Sequence, residues 1–201
     1  MLEAMQVYFC GTRGSTPVSG AEQLHYGGYT SCIGLAHTGQ PPTLVLDAGT
    51  GSIEPGHREF EGFSVDALEI PHKGGRTFGY RVSDGSATLA YLPDHSPISL
   101  GPGPDGTGVF HDAALTLTEG ADLLVHDCQH TAAELPRLGF LGHSAVEYAV
   151  ALAQRANARQ LALFHHDPWR TDAEIDAFVT QYATAPVRVF AAYDRLVVDL
   201  P

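Results

Sequence analysis

The stretch ADLLVHDCQHTAAELPRLGFLGHSAVEYAVALAQRANARQLALFHHD, residues 121–167, decides the fold class. Its apolar runs at 121–127 and 160–165 are typical of buried strands, and residues 143–158 between them carry apolar side chains at helical spacing. A second helix and two more strands are predicted at 171–182, 187–192 and 195–200. The C-terminal half is therefore predicted to consist of strand and helix units.

The N-terminal half has a different pattern. Short segments rich in β-branched and aromatic residues, separated by Gly, Pro and Asp, predict six strands at 5–10, 30–37, 43–48, 63–71, 77–83 and 87–93. No convincing helix accompanies them. Because a sheet must bury at least one face, either these strands pack directly on the other half or the helices that should cover them are absent from this chain. The chain as a whole, residues 1–201, is predicted to be one α/β (α+β) domain.

Composition narrows the class of protein. The 201 residues are 44% hydrophobic, which is enough apolar side chains for a folded domain. Their net charge of −12 disfavours binding to long nucleic acids, because it repels the phosphate backbone. The sequence contains no apolar run long enough to span a bilayer and no export signal. Its three cysteines are widely spaced without a CxxC pair, so no disulfide framework or thiolate zinc site is indicated. We expect a cytoplasmic protein that does not contact membranes.

Histidine and aspartate side chains follow four of the predicted strands. His72, His126 and His165 each come directly after or at the end of an apolar run, and Asp94 follows the strand at 87–93. Because strand ends converge at one edge of a layered α/β fold, these groups are candidates for one site. Imidazole and carboxylate groups are ligands that Zn²⁺, Mn²⁺ and Fe²⁺ accept. Spacing alone leaves open the alternative of ordinary hydrogen-bonded loop residues.

Several longer stretches point to a known family when they are taken in order. They are FCGTRGSTP (9–17), YGGYTSCI (26–33), LVLDAGTG (44–51), HKGGRTFGYRV (72–82), LAYLPDH (89–95), LLVHDCQHT (123–131), GHSAVEYAVALA (142–153) and LALFHHDPWRTD (161–172). This ordered set resembles the metallo-β-lactamase superfamily, in particular the branch of ribonuclease Z and the phosphodiesterases of phosphonate degradation. The resemblance implies an αβ/βα sandwich.

The resemblance also implies a metal site. His72 matches the family histidine that ligates one metal, Asp94 the carboxylate that bridges two metals, and His165 the ligand of the second metal. Two divalent cations are therefore expected as cofactors, with zinc preferred and manganese or iron as alternatives.

Four further residues acquire catalytic roles by the same resemblance. Asp47 matches an aspartate that orients the site without binding metal. His126 and His143 resemble paired histidines that position or protonate a leaving group, and Asp127 would orient one of them. The remaining histidines are predicted to be loop or surface residues: His25, His37, His57, His95, His111, His130 and His166.

One motif of the family is missing. His-x-His-x-Asp-His should follow LVLDAGTG (44–51) and supply four groups to the metals, but it occurs nowhere in the chain. A segment near 52–56 is therefore expected to have been omitted from this sequence, deleted from the chain, or lost in a natural variant with a degraded site. Without it each metal keeps two of the ligands implied above, whereas a catalytic zinc ordinarily has three.

The resulting prediction is a metal-dependent hydrolase that cleaves a phosphodiester with a hydroxide activated by two metals. The acidic charge favours a small ester substrate, and a homodimer is left open. The alternatives are a lactone or thioester hydrolase of the same fold, and a non-catalytic protein with a degraded site.

Overall fold

A computed structural model describes residues 4–47, 56–73 and 75–201. Most of the interval at 52–56, where a missing segment is expected, lies outside these residues. The strands are β1 (Met5–Gly11), β2 (Cys32–His37), β3 (Leu44–Leu46), β4 (Gly56–Phe60), β5 (Phe63–Ile70), β6 (Thr77–Ser83), β7 (Thr88–Leu92), β8 (Leu123–Asp127), β9 (Gln160–Phe164), β10 (Arg188–Ala191) and β11 (Val197–Asp199). The helices are α1 (Asp112–Thr118), α2 (Leu135–Leu138), α3 (Val146–Arg155) and α4 (Asp172–Gln181).

All ten strands predicted from sequence are present, and both predicted helices form with shorter bounds. The predictions missed β4, which is exposed along its whole length and so shows no apolar alternation. It is held as the edge strand of a hairpin with β5, in which Phe60 pairs with Phe63. The two connecting residues, Glu61 and Gly62, both have positive φ, as a tight hairpin turn requires.

The strands form two sheets. The small sheet has the order β11-β1-β2-β3 and is antiparallel throughout its described pairs. The large sheet has the order β10-β9-β8-β7-β6-β5-β4. Its strands β7 to β10 pair in parallel, and β4 to β7 pair antiparallel.

Two hydrophobic cores flank the large sheet. One lies between the sheets and includes Val7 and Phe9 of β1 and Val125 of β8. The other joins the opposite face of the large sheet to α1, α3 and α4. The predicted strands of the small sheet therefore pack directly on the other sheet, which is the first of the two alternatives that the sequence left open.

The outer face of the small sheet is more open than its inner face. Val45 and Val197 expose 49% and 41% of their surface, whereas Val7 and Phe9 are fully buried. The described helices α1, α3 and α4 all contribute to the core on the far side of the large sheet. Within the described residues, the helices are too short or too polar to cross a bilayer.

Candidate metal centre

The candidate site lies where three neighbouring strands end. β7, β8 and β9 are adjacent and parallel, so their carboxyl ends meet at one edge of the large sheet. Asp94 follows β7, Asp127 ends β8, and His165 follows β9. His165 has a positive φ of 55°, so the chain turns sharply as it leaves the strand.

Four side chains come together at this edge: Asp94, Asp127, His143 and His165. One ligand atom from each lies within 4.8 Å of the other three. Oδ1 of Asp94 is 3.2 Å from Nε2 of His165 and 3.8 Å from Nδ1 of His143. Oδ2 of Asp127 is 2.8 Å from the same His143 nitrogen. Among residues 4–47, 56–73 and 75–201, no other group of three or more such side chains is close enough to share a metal ion.

His143 reaches the cluster from the loop before α3. Its ring stacks on the ring of His165 with 4.8 Å between centroids. The preceding residue, Gly142, has a φ of 95°, and a Cβ there would lie 2.6 Å from Cβ of Lys73. Only glycine fits this close approach, which brings the loop against the end of β5.

His72 lies beside the four-residue cluster. Its Nδ1 donates a hydrogen bond to the carbonyl oxygen of Gly142 over 2.7 Å, so Nε2 is the nitrogen that could bind a metal. The His72 ring is 5.4 Å from the ring of His143, centroid to centroid. The structure therefore brings His72 next to the predicted ligands Asp94 and His165, although it is not among the four closest groups.

Asp47, which follows β3, is held by two hydroxyl groups. Ser31 Oγ donates to Asp47 Oδ2 over 2.7 Å, and the Tyr91 hydroxyl donates to the same oxygen over 3.2 Å. Although the residue as a whole is exposed, partial desolvation of its carboxylate raises the pKa of Asp47, and the negative charge of Asp94 raises it further. The two donors act in the opposite direction and fix the orientation of this carboxylate.

The structure places His126 away from the cluster, unlike Asp127, its neighbour in β8. Consecutive side chains of a strand point to opposite faces, so His126 is directed toward the helix layer and packs near Tyr148. Its Nδ1 donates to the carbonyl oxygen of Asp127 over 2.7 Å, and its Nε2 accepts from Nδ1 of His95 over 2.9 Å. Both ring nitrogens of His126 thus have other partners than His143, whereas Asp127 hydrogen-bonds to His143, one of the two histidines that it was expected to orient.

His95 is a supporting residue that sequence reasoning missed. It is fully buried, and its backbone N–H donates to Asp127 Oδ2 over 3.2 Å. Burial, together with the neighbouring His126, lowers the pKa of His95 well below its ordinary value. His130 and His166 are also buried, so these three histidines lie in connecting segments, as one of the two predicted alternatives had it, but not on the surface.

The charges of the cluster stabilise one another. Burial opposes the ionised form of Asp94, but the hydrogen bond and positive field of His165 outweigh it and lower the pKa of Asp94 to about 2. Burial likewise opposes protonation of His165, but the same hydrogen bond and the carboxylates of Asp127 and Asp94 raise the pKa of His165 to about 9. Nε2 of His165 and Oδ1 of Asp94 are thus directed at each other, 3.2 Å apart.

This donor set fits a divalent cation. Two carboxylates and two imidazoles form a ligand set that zinc and related transition metals accept. Zinc-to-ligand distances of about 2.0–2.2 Å place donors on one ion roughly 3–4 Å apart, so small movements would bring all four atoms onto one ion. These four groups include Asp94 and His165, two of the three ligands that the resemblance implied.

The family comparison agrees with this fold. A family model described as "Beta-lactamase superfamily domain" matches residues 50–166, which include Asp94, Asp127, His143 and His165. The metallo-β-lactamase fold protein YhfI from Bacillus subtilis aligns with a TM-score of 0.76 at 16% sequence identity. The alignment covers 98% of this chain and 100% of that one.

Two ribonuclease relatives match over smaller parts. The short form of human tRNase Z aligns with a TM-score of 0.51 at 25% identity, over 72% of this chain and 46% of that one. Ribonuclease Z of Natronomonas pharaonis is 41% identical over 54 residues, which are 27% of this chain and 18% of that protein. The chain thus matches less than a fifth of the length of this curated relative. From the family match and the shared fold, this chain belongs to the beta-lactamase superfamily and has the metallo-β-lactamase fold.

Proposed function

We propose that this chain is a metal-dependent hydrolase that cleaves a phosphodiester. The observation that carries the proposal is the convergence of Asp94, Asp127, His143 and His165 at the carboxyl edge of three parallel strands. The local similarity to ribonuclease Z, whose substrates contain phosphodiester bonds, supports this reaction class. The charge of −12 favours a small phosphodiester over long RNA as the substrate.

We assign the metals to His72, Asp94 and His165, with two divalent cations as the full complement and zinc as the preferred metal. Of the four converging groups, Asp127 and His143 hydrogen-bond to each other and are assigned to proton transfer instead. Asp94 lies against His165, and the positive field of His72 also acts on its carboxylate, so Asp94 is the candidate bridge between the two sides. When bound, such cations supply an activated water and stabilise charge on the attacked phosphorus.

The remaining side chains protonate the leaving alcohol and orient the site. Asp127 accepts a hydrogen bond from Nδ1 of His143, which turns Nε2 of His143 away from Asp127. A proton on that Nε2 is available to the departing alcohol, and the Asp127 carboxylate stabilises the protonated ring. Asp47, whose carboxylate is held by Ser31 and Tyr91, orients the site without binding metal.

The test combines metal analysis with turnover. Protein purified without chelators should contain zinc, manganese or iron and hydrolyse bis-p-nitrophenyl phosphate. Chelation should abolish this activity, and added Zn²⁺ or Mn²⁺ should restore it. His165→Gln should lose both metal and activity, whereas His25→Gln, an exposed histidine outside the cluster, should lose neither.

Three results would contradict the proposal. A metal-free protein without activity after reconstitution would favour the non-catalytic alternative. If the protein hydrolysed lactones or thioesters faster than phosphodiesters, it would be a lactone or thioester hydrolase of the same fold. Loss of metal in His143→Gln would make His143 a ligand and remove it from proton transfer.

A further inference from the structure

Two of the three cysteines lie side by side in the small sheet. β1 and β2 pair Phe9 with Ile33 and then Gly11 with Cys32, so the register shifts by one residue between these pairs. Cys10 is the extra residue of this β-bulge, and Cys10 and Gly11 together face Cys32. The bulge therefore sets the two thiol-bearing residues opposite each other on neighbouring strands.

Gly11 fixes this arrangement. A Cβ at Gly11 would lie 2.0 Å from the carbonyl oxygen of Thr30, so no larger residue fits there without moving β2. The two thiols lie close enough for Cys10 to act on Cys32, and a disulfide needs Cα atoms about 4.4–6.8 Å apart, which neighbours across a bulged strand pair provide. The backbone of the bulge is thus compatible with a bond between Cys10 and Cys32.

The two thiols differ in access. Cys10 is exposed, Cys32 is half-buried, and both are free in this structure. Burial, with smaller contributions from the adjacent Cys10 thiol and Asp47, raises the pKa of Cys32 to about 11, so Cys32 is not the thiol that a peroxide oxidises first. An oxidant from solvent reaches Cys10 first, and Cys32 is the nearby thiol that can resolve the oxidised product.

The pair is connected to the candidate site through one residue. Ser31, which precedes Cys32 in the chain, donates the 2.7 Å hydrogen bond that holds Asp47 Oδ2. Tyr91 donates to the same oxygen. Because Ser31 and Cys32 are consecutive, a bond that fixes the Cys32 sulfur on Cys10 reorients the backbone that carries the Ser31 hydroxyl, without moving the two strands apart.

We propose that Cys10 and Cys32 form a reversible redox pair that closes to a disulfide in the presence of a peroxide and shifts Asp47 when it does. The Cys10 thiolate attacks one peroxide oxygen to give a sulfenic acid, and the other oxygen leaves as water after protonation. The Cys32 sulfur then attacks the Cys10 sulfur, a second water leaves, and two electrons from the thiols have reduced the peroxide. A dithiol reductant reverses the bond by exchange.

The primary test does not depend on activity. Full-length protein is treated with stoichiometric hydrogen peroxide, its remaining thiols are alkylated in denaturant, and it is digested without reduction for mass spectrometry. We expect a peptide pair linked through Cys10 and Cys32, with buried Cys128 as the one remaining free thiol. Dithiothreitol should restore all three thiols. Cys10→Ser and Cys32→Ser should each fail to form the linked pair.

The second measurement rests on the proposed function. Oxidised wild-type protein should hydrolyse bis-p-nitrophenyl phosphate roughly tenfold more slowly, because the carboxylate that orients the site has moved, and reduction should restore the rate. Cys10→Ser should keep its activity under the same peroxide treatment. Three free thiols after oxidation, or only an over-oxidised Cys10 with Cys32 unchanged, would overturn the redox pair. A linked pair in a protein without hydrolase activity would overturn the proposed function and leave the redox pair standing.

Discussion

Asp127 Oδ2 lies 2.8 Å from Nδ1 of His143, and the same carboxylate oxygen accepts the backbone N–H of His95. The other oxygen of Asp127 accepts the backbone N–H of Gln129 over 3.1 Å. Asp127 is fully buried, and these backbone hydrogen bonds fix both of its carboxylate oxygens independently of the imidazole. This arrangement specifies the orientation of His143 and makes the pair a defined target for mutation.

Asp127→Asn keeps the size of the side chain and removes its charge. We expect a fall in turnover of about 100-fold with metal content unchanged, because a neutral amide no longer stabilises the protonated His143 ring. Turnover and bound metal are measured on the same preparation. Asp105→Asn, at an exposed aspartate, serves as the matched control. Wild-type turnover would show that the pair takes no part in the reaction, and loss of metal would show that Asp127 is a ligand.

Asp94→Asn addresses the proposed bridge between the metals. We expect bound metal and turnover to be lost together, with turnover down about 1,000-fold or more, because an amide oxygen is a weak substitute for a bridging carboxylate. Elemental analysis and hydrolysis of bis-p-nitrophenyl phosphate give the two readouts. Retained activity in this variant would reject the bridging assignment of Asp94.

His126→Leu separates support of the fold from chemistry. It leaves His95 Nδ1 and the Asp127 carbonyl without their partners in a fully buried region, so we expect a loss of about 1–3 kcal/mol in the free energy of unfolding. Urea unfolding measures this loss, and turnover of the folded protein should stay within a few-fold of wild type. His143→Gln should show the reverse pattern. Normal stability with lost turnover in His126→Leu would place His126 in the reaction.

The ion pair of Glu134 with Arg170 predicts a dependence of stability on pH. Burial disfavours the charged form of Glu134, but hydrogen bonds from Arg170 and the Thr131 backbone outweigh it and lower the pKa of Glu134 from 4.5 to about 2. Because the pKa is lower in the folded state, the stabilisation is present above pH 4.5 and is lost as pH falls toward 2.

The variant Glu134→Gln tests this sign. At pH 7 it should be less stable than wild type by about 1–2 kcal/mol, and the difference should shrink between pH 5 and pH 3. Urea unfolding at several pH values gives the comparison, and Glu119→Gln, at an exposed glutamate, should show no such trend. A difference that stays constant with pH would contradict the assignment of the ion pair.

The local patterns of the chain predicted most of the secondary structure. Strands such as β5 and β8 have strong apolar patterns, and α3 has apolar residues at helical spacing. β4 escaped prediction because it is an exposed edge strand stabilised by its hairpin partner. The seven-residue α1 was missed as well, since its stability comes from burying Ala114 and Leu117.

The candidate site was predictable in its residue types and less so in its geometry. Asp94 and His165 were found because each follows a strand, and Asp127 and His143 because of their resemblance to the family motifs. His95 was not found, since nothing in the order of residues indicates that a histidine after Asp94 turns inward and bonds to His126.

The sequence by itself determined where the strands lie, which acids and imidazoles end them, and that the chain lacks His-x-His-x-Asp-His. Only the tertiary structure decided that Asp127 faces His143 while His126 faces the helices, and that Cys10 lies opposite Cys32. The positions of strands and helices follow from the spacing of apolar residues over short stretches of the sequence. The direction of a side chain and the partner it meets depend on strand pairing, register and a bulge, which join residues far apart in sequence.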